Sequence, residues 1–245
     1  MPIARVTAWI APEWPAPGTH RNEFIREFGR QLCAVPQRRG RVLDIGCGAA
    51  LPVAVERVSA ELGPIDGVDP DAAIARHPSL ANRWHGRFET APVPDAAYGL
   101  AYAYNVLEHI AEPRPFFAKV AAVLEPGGVF LALAPNARHP FAWISRCVDL
   151  LGVKPLIGRA LGRRAAFAMN VNPYPSYYRC NSPAAIRRAI EGLGFDKVSF
   201  TFVPSVQWEM YFPAWLRWMP YLWDRVVTAR VPSMNQVLIV RLEKD

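Results

Sequence analysis

The chain has 245 residues, 51% hydrophobic and 20% charged, a balance that excludes an intrinsically disordered polymer and leaves enough apolar surface for a large core. Its formal charge of +7 is concentrated, since residues 138–188 hold nine arginines and lysines against a single acid, Asp149. No apolar run approaches the ~18 residues that would span a bilayer. The four cysteines, Cys33, Cys47, Cys147 and Cys180, show neither Cys-x-x-Cys spacing nor a histidine cluster, which argues against a zinc or other metal site and for reduced thiols in a cytoplasmic protein.

Residues 1–19 read as a loose lead-in, because Pro12, Pro15 and Pro17 break the one apolar stretch behind Arg5; the same prolines argue against a secretory signal. Phe24, Ile25, Phe28 and Leu32 recur at helical spacing and predict a helix over 20–35 capped by Thr19. Val42-Leu43-Asp44-Ile45 then reads as a buried parallel strand. It ends in Gly46-Cys47-Gly48, and the helix-competent segment 51–62 follows. Strand, glycine turn and helix form the nucleotide-binding corner of an α/β sheet, where a side chain would hold the backbone away from a ligand lying over the strand end. The third glycine of a dinucleotide fingerprint is replaced by Ala50. The carboxylate of Asp44 in the strand end would repel a pyrophosphate and suits a cationic group instead.

Further strands are predicted near 65–69, 84–88, 98–103 and 129–134, with helices at 71–76 and 114–124. That alternation predicts a doubly wound α/β fold around a mostly parallel, seven-stranded, Rossmann-like sheet. After Pro135-Asn136 the alternation stops, and glycines and prolines break 137–180 into a cap or insertion. Ser182-Pro183 opens another helix, serine as N-cap and proline in the first turn. Strands near 197–203 and 236–242 close the sheet, separated by an aromatic helical excursion over 204–232. The whole chain, 1–245, reads as one domain with these two embellishments.

The run Asp44-x-Gly46-x-Gly48 resembles motif I of the class I S-adenosylmethionine-dependent methyltransferases. Four more segments match that family in order: Gly67-Val68-Asp69-Pro70, Gly86-Arg87-Phe88-Glu89 with Pro92-Val93-Pro94-Asp95, Tyr104-Asn105-Val106-Leu107-Glu108-His109, and Leu124-Glu125-Pro126-Gly127-Gly128. The resemblance is close over 40–136 and loose over 180–202. It implies S-adenosyl-L-methionine as cofactor, with Asp44, Gly46, Cys47 and Gly48 around its methionine end. Asp69 would take both ribose hydroxyls, the alternative being a helix N-cap before Pro70. Asn105 would stand near the sulfonium. The family's acidic residue after the glycine is Arg87 here, so the adenine amino group falls to Glu89 and base stacking to Phe88; the alternative is a core phenylalanine beside a solvated glutamate. His109 and His139 are the candidate general bases, each with a structural histidine as the alternative.

The acceptor is expected to be a small or lipid-like molecule, anionic if the basic segment faces it, methylated at oxygen or nitrogen. Nucleic acid is not expected, because no binding module accompanies the charge. Residues 208–223 hold four of the eight tryptophans, and on a helical wheel Arg217, Tyr221, Asp224, Arg225 and Thr228 form a narrow polar stripe in an otherwise apolar helix that Pro220 should kink. That pattern fits peripheral contact with an inner membrane surface, or else packing against the sheet or in a dimer. A catalytically silent module of the same fold, binding a membrane or a protein partner, is the alternative function. A nicotinamide oxidoreductase is disfavoured by the incomplete glycine fingerprint and by Asp44.

Overall fold

The computed structural model of the chain describes residues 23–35, 41–152, 174–205, 214–216 and 218–245. They group into two units. The larger comprises Ile25–Pro135, Tyr178–Thr201 and Leu238–Asp245; the smaller comprises Met1–Phe24, Asn136–Tyr177 and Phe202–Val237. Both the 204–232 excursion and nearly all of the 137–180 segment fall in the smaller unit. Thr19, residues 20–22, Trp208, Arg217 and the basic residues Lys154, Arg159, Arg163 and Arg164 lie outside the described residues.

In the larger unit the short apolar runs become strands covered on both faces. β1 (Arg41–Ile45) is buried at its last four positions and β2 (Ile65–Asp69) at all five. With β3 (Leu80–His85), β4 (Tyr98–Tyr104), β5 (Leu124–Pro135), β6 (Phe195–Val203) and β7 (Val237–Lys244) they form one seven-stranded sheet in the order β3-β2-β1-β4-β5-β7-β6. The pairs β1–β2, β1–β4, β2–β3 and β4–β5 are parallel. β7 runs against its neighbours: Lys244 at its end donates to the Leu124 carbonyl at the start of β5, and the Asp245 N–H donates to the Gly194 carbonyl just before β6.

Helices cover the faces. α1 (Glu23–Cys33) buries Phe28 and Leu32 completely, and Phe28 meets Tyr102 and Tyr104 edge-on at 6.5 and 5.5 Å. The segment expected as one helix over 51–62 is two short ones, α2 (Val53–Glu56) and α3 (Ser59–Leu62), because Val58 leaves helical geometry at φ −118° and ψ 5°. A 3-10 turn spans Ala72–Arg76, α4 spans Pro113–Val123, and α6 (Pro183–Ile190) follows the fifth strand's excursion; Ser182 accepts from the Ala185 N–H at 3.4 Å as the expected N-cap.

Two strands differ from the sequence expectation. β3 lies at 80–85 rather than 84–88: it is the edge strand, with few apolar residues to mark its period, and the chain turns at Gly86 so that Phe88 enters the core. β5 begins at Leu124, with Glu125–Gly128 bulging out between the Tyr98–Leu124 and Leu100–Val129 pairings.

The smaller unit contains α5 (Pro140–Leu150), a 3-10 turn at Ala214–Leu216, and α7 (Trp218–Trp223) running on into a π-helical turn at Asp224–Thr228. Pro220 sits in the first turn of α7, where proline fits, so no kink is required of it. Asn136 is fully buried and ties the unit together. Its amide donates to the Ser233 and Asn235 carbonyls, and its oxygen accepts from the Arg138 N–H. The basic run of the sequence is divided by the fold. Arg138 and Arg146 belong to the smaller unit, whereas Arg179, donating to the Ala111 carbonyl, and Arg187, stacked 5.2 Å over Phe200, belong to the larger.

Candidate functional site

At β1 the sheet order switches direction: β2 lies on one side and β4 on the other, and it is outside the carboxyl ends of strands at such a switch point that open α/β sheets bind ligands. Asp44, the glycine turn, Asp69 and Asn105 all come from this place.

Asp44 is fully buried on β1, directly opposite Tyr102 in the β1–β4 register. The Tyr102 hydroxyl donates to Asp44 Oδ2 at 2.7 Å, while Asp44 Oδ1 has no hydrogen-bond partner. Burial pushes the carboxyl up to about 7, partly opposed by the Tyr102 bond and reinforced by the nearby Asp69 charge. Asp66, on β2, shows what a buried carboxylate in this sheet looks like when it is structural. It accepts from the Arg41 guanidinium, the Asn82 backbone N–H, the Asn82 side-chain amide and the Tyr98 hydroxyl. Every buried polar atom needs a partner or a reason for lacking one. Asp66 has four donors; Asp44 has one, and an open oxygen.

Gly46 (φ +76°) and Gly48 (φ +60°) hold left-handed geometry that side chains rarely adopt. They serve differently. A Cβ on Gly46 would lie 2.4 Å from Val106 Cγ2, so this glycine lets the β1 turn close against the loop after β4. A Cβ on Gly48 would meet nothing within 4 Å, so its left-handed backbone alone calls for glycine there in the free protein. The Gly46 N–H donates to the Val68 carbonyl at 2.8 Å, pinning the turn to β2. Cys47, between them, is buried, and burial with the Asp44 and Asp69 charges raises its thiol far above the ordinary range, so it is an inert packing group.

Asp69 ends β2 with Oδ2 accepting from the Gly48 N–H at 2.8 Å and Oδ1 from the Asp71 N–H at 2.7 Å. The helix cap is Asp71, which accepts from the Ala73 N–H. The cap role therefore belongs to Asp71 rather than to Asp69. Asp69 instead links two site loops, and each of its oxygens keeps a lone pair for a further donor. Asn105 is exposed at φ +56°, one of the few non-glycine residues in left-handed geometry, with its N–H bonded to the Leu133 carbonyl.

Phe88 and Glu89 lie on the turn after β3, whose Gly86 N–H donates to the Asp69 carbonyl. Phe88 is buried and meets Phe116 edge-on at 5.4 Å, within an aromatic cluster that includes Phe117 and Phe130. Its ring is committed to the core, which corrects its assignment as a stacking surface. Glu89 lies 3.6 Å from Arg87.

The two histidines separate. His109 is half-buried in the larger unit, its Nε2 3.9 Å from Glu108 Oε1. His139 is fully buried in the smaller unit, where its Nδ1 accepts from the Phe141 N–H and its ring meets Trp223 edge-on. With no surface to offer an acceptor, His139 is a packing and capping residue rather than the candidate base its sequence position suggests.

Two groups escaped the sequence reading. Tyr102 was not singled out; the signal was there, since Tyr98 and Tyr102 share one face of β4 and each bonds a strand aspartate. Glu108 was noted only as His109's neighbour. It is a buried carboxyl pushed up to about 8 by burial, with Oε2 unpartnered. Among the described residues no group of three or more His, Cys, Asp and Glu could hold a metal ion.

Comparison with known proteins gives a consistent picture. The family described as "Methyltransferase domain" matches residues 18–200. A probable S-adenosylmethionine-dependent methyltransferase of Mycolicibacterium smegmatis is 33% identical over 122 residues, 47% of this chain and 44% of that protein. A ubiquinone biosynthesis O-methyltransferase of Bordetella avium is 29% identical over 133 residues, 51% of this chain and 55% of that one. The chain thus spans about half the length of these curated relatives. Among solved structures, a SAM-dependent methyltransferase from Archaeoglobus fulgidus superposes with a TM-score of 0.56 at 16% identity, covering 91% of this chain and 94% of that one. At that identity the likeness concerns the fold.

Proposed function

The chain belongs to the methyltransferase-domain family, the class I S-adenosylmethionine-dependent fold, and from that premise we propose that it transfers the methyl group of S-adenosylmethionine to an oxygen of a small-molecule acceptor. The observation that carries the cofactor half is the unpartnered, buried Oδ1 of Asp44 at the end of β1, where the Gly46–Gly48 turn begins. A carboxylate in that setting wants a donor, and a cation most of all. The residues present therefore fit the cofactor: Asp44 would take its ammonium, Asp69 its ribose hydroxyls, the Gly46–Gly48 backbone its methionine end, and Glu89 its adenine amino group. Asn105 closes the same corner.

When bound, the cofactor supplies an electrophilic methyl group on a cationic sulfur. The chain's own residues align and enclose. The buried strand ends keep the corner dry, and the tight Gly46–Val106 contact fixes the β1 and β4 loops relative to each other, which is the positioning an in-line transfer depends on. His109 is the residue of this unit offered to take a proton from the acceptor, held beside Glu108. Support for oxygen as the methylated atom comes from the relatives named as ubiquinone biosynthesis O-methyltransferases, at 27–31% identity.

The test has two arms. Asp69→Ala should weaken S-adenosylhomocysteine binding by calorimetry by about 10–100-fold, the loss expected for a charged bidentate contact; unchanged affinity would make Asp69 a purely structural link between loops. Incubation with methyl-labelled S-adenosylmethionine and matched catechol, amine and activated-carbon acceptors should label the catechol. Label on the amine or carbon acceptor alone would overturn the choice of oxygen.

A further inference from the structure

The helix that begins at Trp218 is inside out. Its polar residues Tyr221, Asp224 and Thr228 are buried, while Trp218, Met219 and Val226 are exposed. Trp215, in the turn before it, is 71% exposed. Inside the unit, Asp224 Oδ1 lies 3.9 Å from His139 Nε2, and the Thr228 hydroxyl donates to the Asp224 carbonyl. Of the polar stripe expected from the sequence, Tyr221, Asp224 and Thr228 turn inward and Arg225 is half-buried, while Arg217 lies outside the described residues.

α5 repeats the arrangement. Ala142 is buried, whereas Trp143 (68%), Ile144 (51%) and Leu151 just beyond the helix (72%) are exposed, with Cys147 and Arg146 among them. The two elements meet through His139, at the entrance to α5, and Asp224 and Trp223. Two adjoining elements of one unit thus both turn large apolar side chains to solvent. A water-facing helix does the reverse.

We propose that this face of the smaller unit docks on an anionic phospholipid surface. Charge selects that occupant. By sequence, residues 136–177 and 202–237 carry nine arginines and lysines against three acids, and four of the nine, Arg138, Arg146, Arg225 and Arg230, lie among the described residues. Within Asn136–Tyr177 and Phe202–Val237, Arg138, Arg146 and Arg230 are exposed, and Asp224 is buried. A second copy of the chain would bring the same positive charge to the interface and be repelled; an anionic bilayer attracts it, and tryptophans flanked by arginine suit the headgroup level. Among the described residues no helix is long and apolar enough to cross a membrane, so the contact is peripheral. The inference does not depend on methyl transfer.

Vesicle flotation without cofactor tests it. The wild type should float with vesicles of phosphatidylglycerol and phosphatidylcholine at low salt and at least about tenfold less with phosphatidylcholine alone. Cys147 is the exposed cysteine of the four, so an environment-sensitive fluorophore placed there should shift to the blue on anionic vesicles and keep part of the shift in high salt, because the apolar share of binding is not screened. Trp215→Asp combined with Ile144→Asp, both at exposed positions, should weaken flotation at least about tenfold with unchanged circular dichroism and S-adenosylhomocysteine affinity. Three results would overturn the proposal: no flotation of the wild type with anionic vesicles at low salt, flotation indifferent to the double substitution, or a wild type that ignores vesicles but self-associates through the same residues in analytical ultracentrifugation. Loss of cofactor binding in the wild type would strike the proposed function and leave these outcomes intact.

Discussion

Asp44→Asn is expected to abolish tight S-adenosylhomocysteine binding while raising the melting temperature of the free protein at pH 8. Both effects come from one carboxyl. In the free protein its ionised form is buried with a single donor, Tyr102, and its pKa stands at about 7 against 3.8 for the ordinary group. A folded-state pKa raised above the unfolded value gives a contribution fully present below about pH 4 and lost as pH rises through about 7. Above that, folding carries the cost of a poorly solvated charge, on the order of 4 kcal/mol. Asparagine removes the charge and the cost. Glu108, at about 8, adds to the same trend, so the stability of the free wild type should fall between pH 4 and pH 8 and that of Asp44→Asn should fall less.

Cofactor affinity should move the other way. The ammonium of S-adenosylhomocysteine binds the ionised carboxylate, so wild-type affinity should drop by roughly tenfold from pH 8 to pH 6 as Asp44 takes a proton. Asp44→Asn should bind on the order of 100-fold more weakly at pH 8, with little dependence on pH. Thermal melts and calorimetry at several pH values read both. A destabilised Asp44→Asn with unaltered affinity would mean that Asp44 is a core acid like Asp66.

Gly46→Ala and Gly48→Ala should part company. At Gly46 the added methyl group would stand 2.4 Å from Cγ2 of Val106, a β-branched side chain with little freedom to rotate away, at a φ of +76°. Left-handed strain of about 1–2 kcal/mol and overpacking of about 1–3 kcal/mol should add, lowering the melting temperature by several degrees and loosening the β1 and β4 loops. At Gly48 only the backbone strain applies, because the methyl group enters open space. Gly48→Ala should therefore lose about 1–2 kcal/mol of stability but much of its cofactor affinity, since the space filled is the space the ligand needs. Equal melting temperatures for the two variants, or full affinity in Gly48→Ala, would contradict the roles given to these glycines.

The sheet was legible because burial on both faces favours apolar runs: Leu100–Ala103 is unbroken, and Val42–Ile45 and Ile65–Val68 are interrupted only by Asp44, Asp66 and Gly67. β3 was misplaced because an edge strand is half solvated; Ala81, Asn82 and Arg83 carry no such signal, and Phe88 carries a false one. At the site, spacing located Asp44 and Asp69 but could not say which aspartate has its bonds filled. Asp66 is the same residue type on the neighbouring strand, and only the positions of Arg41, Asn82 and Tyr98 show that it is saturated. His139 looked available because it follows the fifth strand, whereas its burial depends on Trp223 and Asp224, more than eighty residues on. The aromatic excursion showed its amphipathic period in sequence, but periodicity gives two faces without saying which is turned inward; that was decided by Asp224 finding His139.

The corner built from Asp44, Gly46, Gly48 and Asp69 should accept an amino acid nucleoside through its ammonium group and reject a pyrophosphate. Equilibrium dialysis of the wild-type chain at pH 8 against S-adenosylhomocysteine and, separately, NAD measures it most directly. The account predicts saturable one-to-one binding of S-adenosylhomocysteine and none of NAD in the same concentration range. Saturable NAD binding, or no binding of S-adenosylhomocysteine by a folded chain, would contradict it.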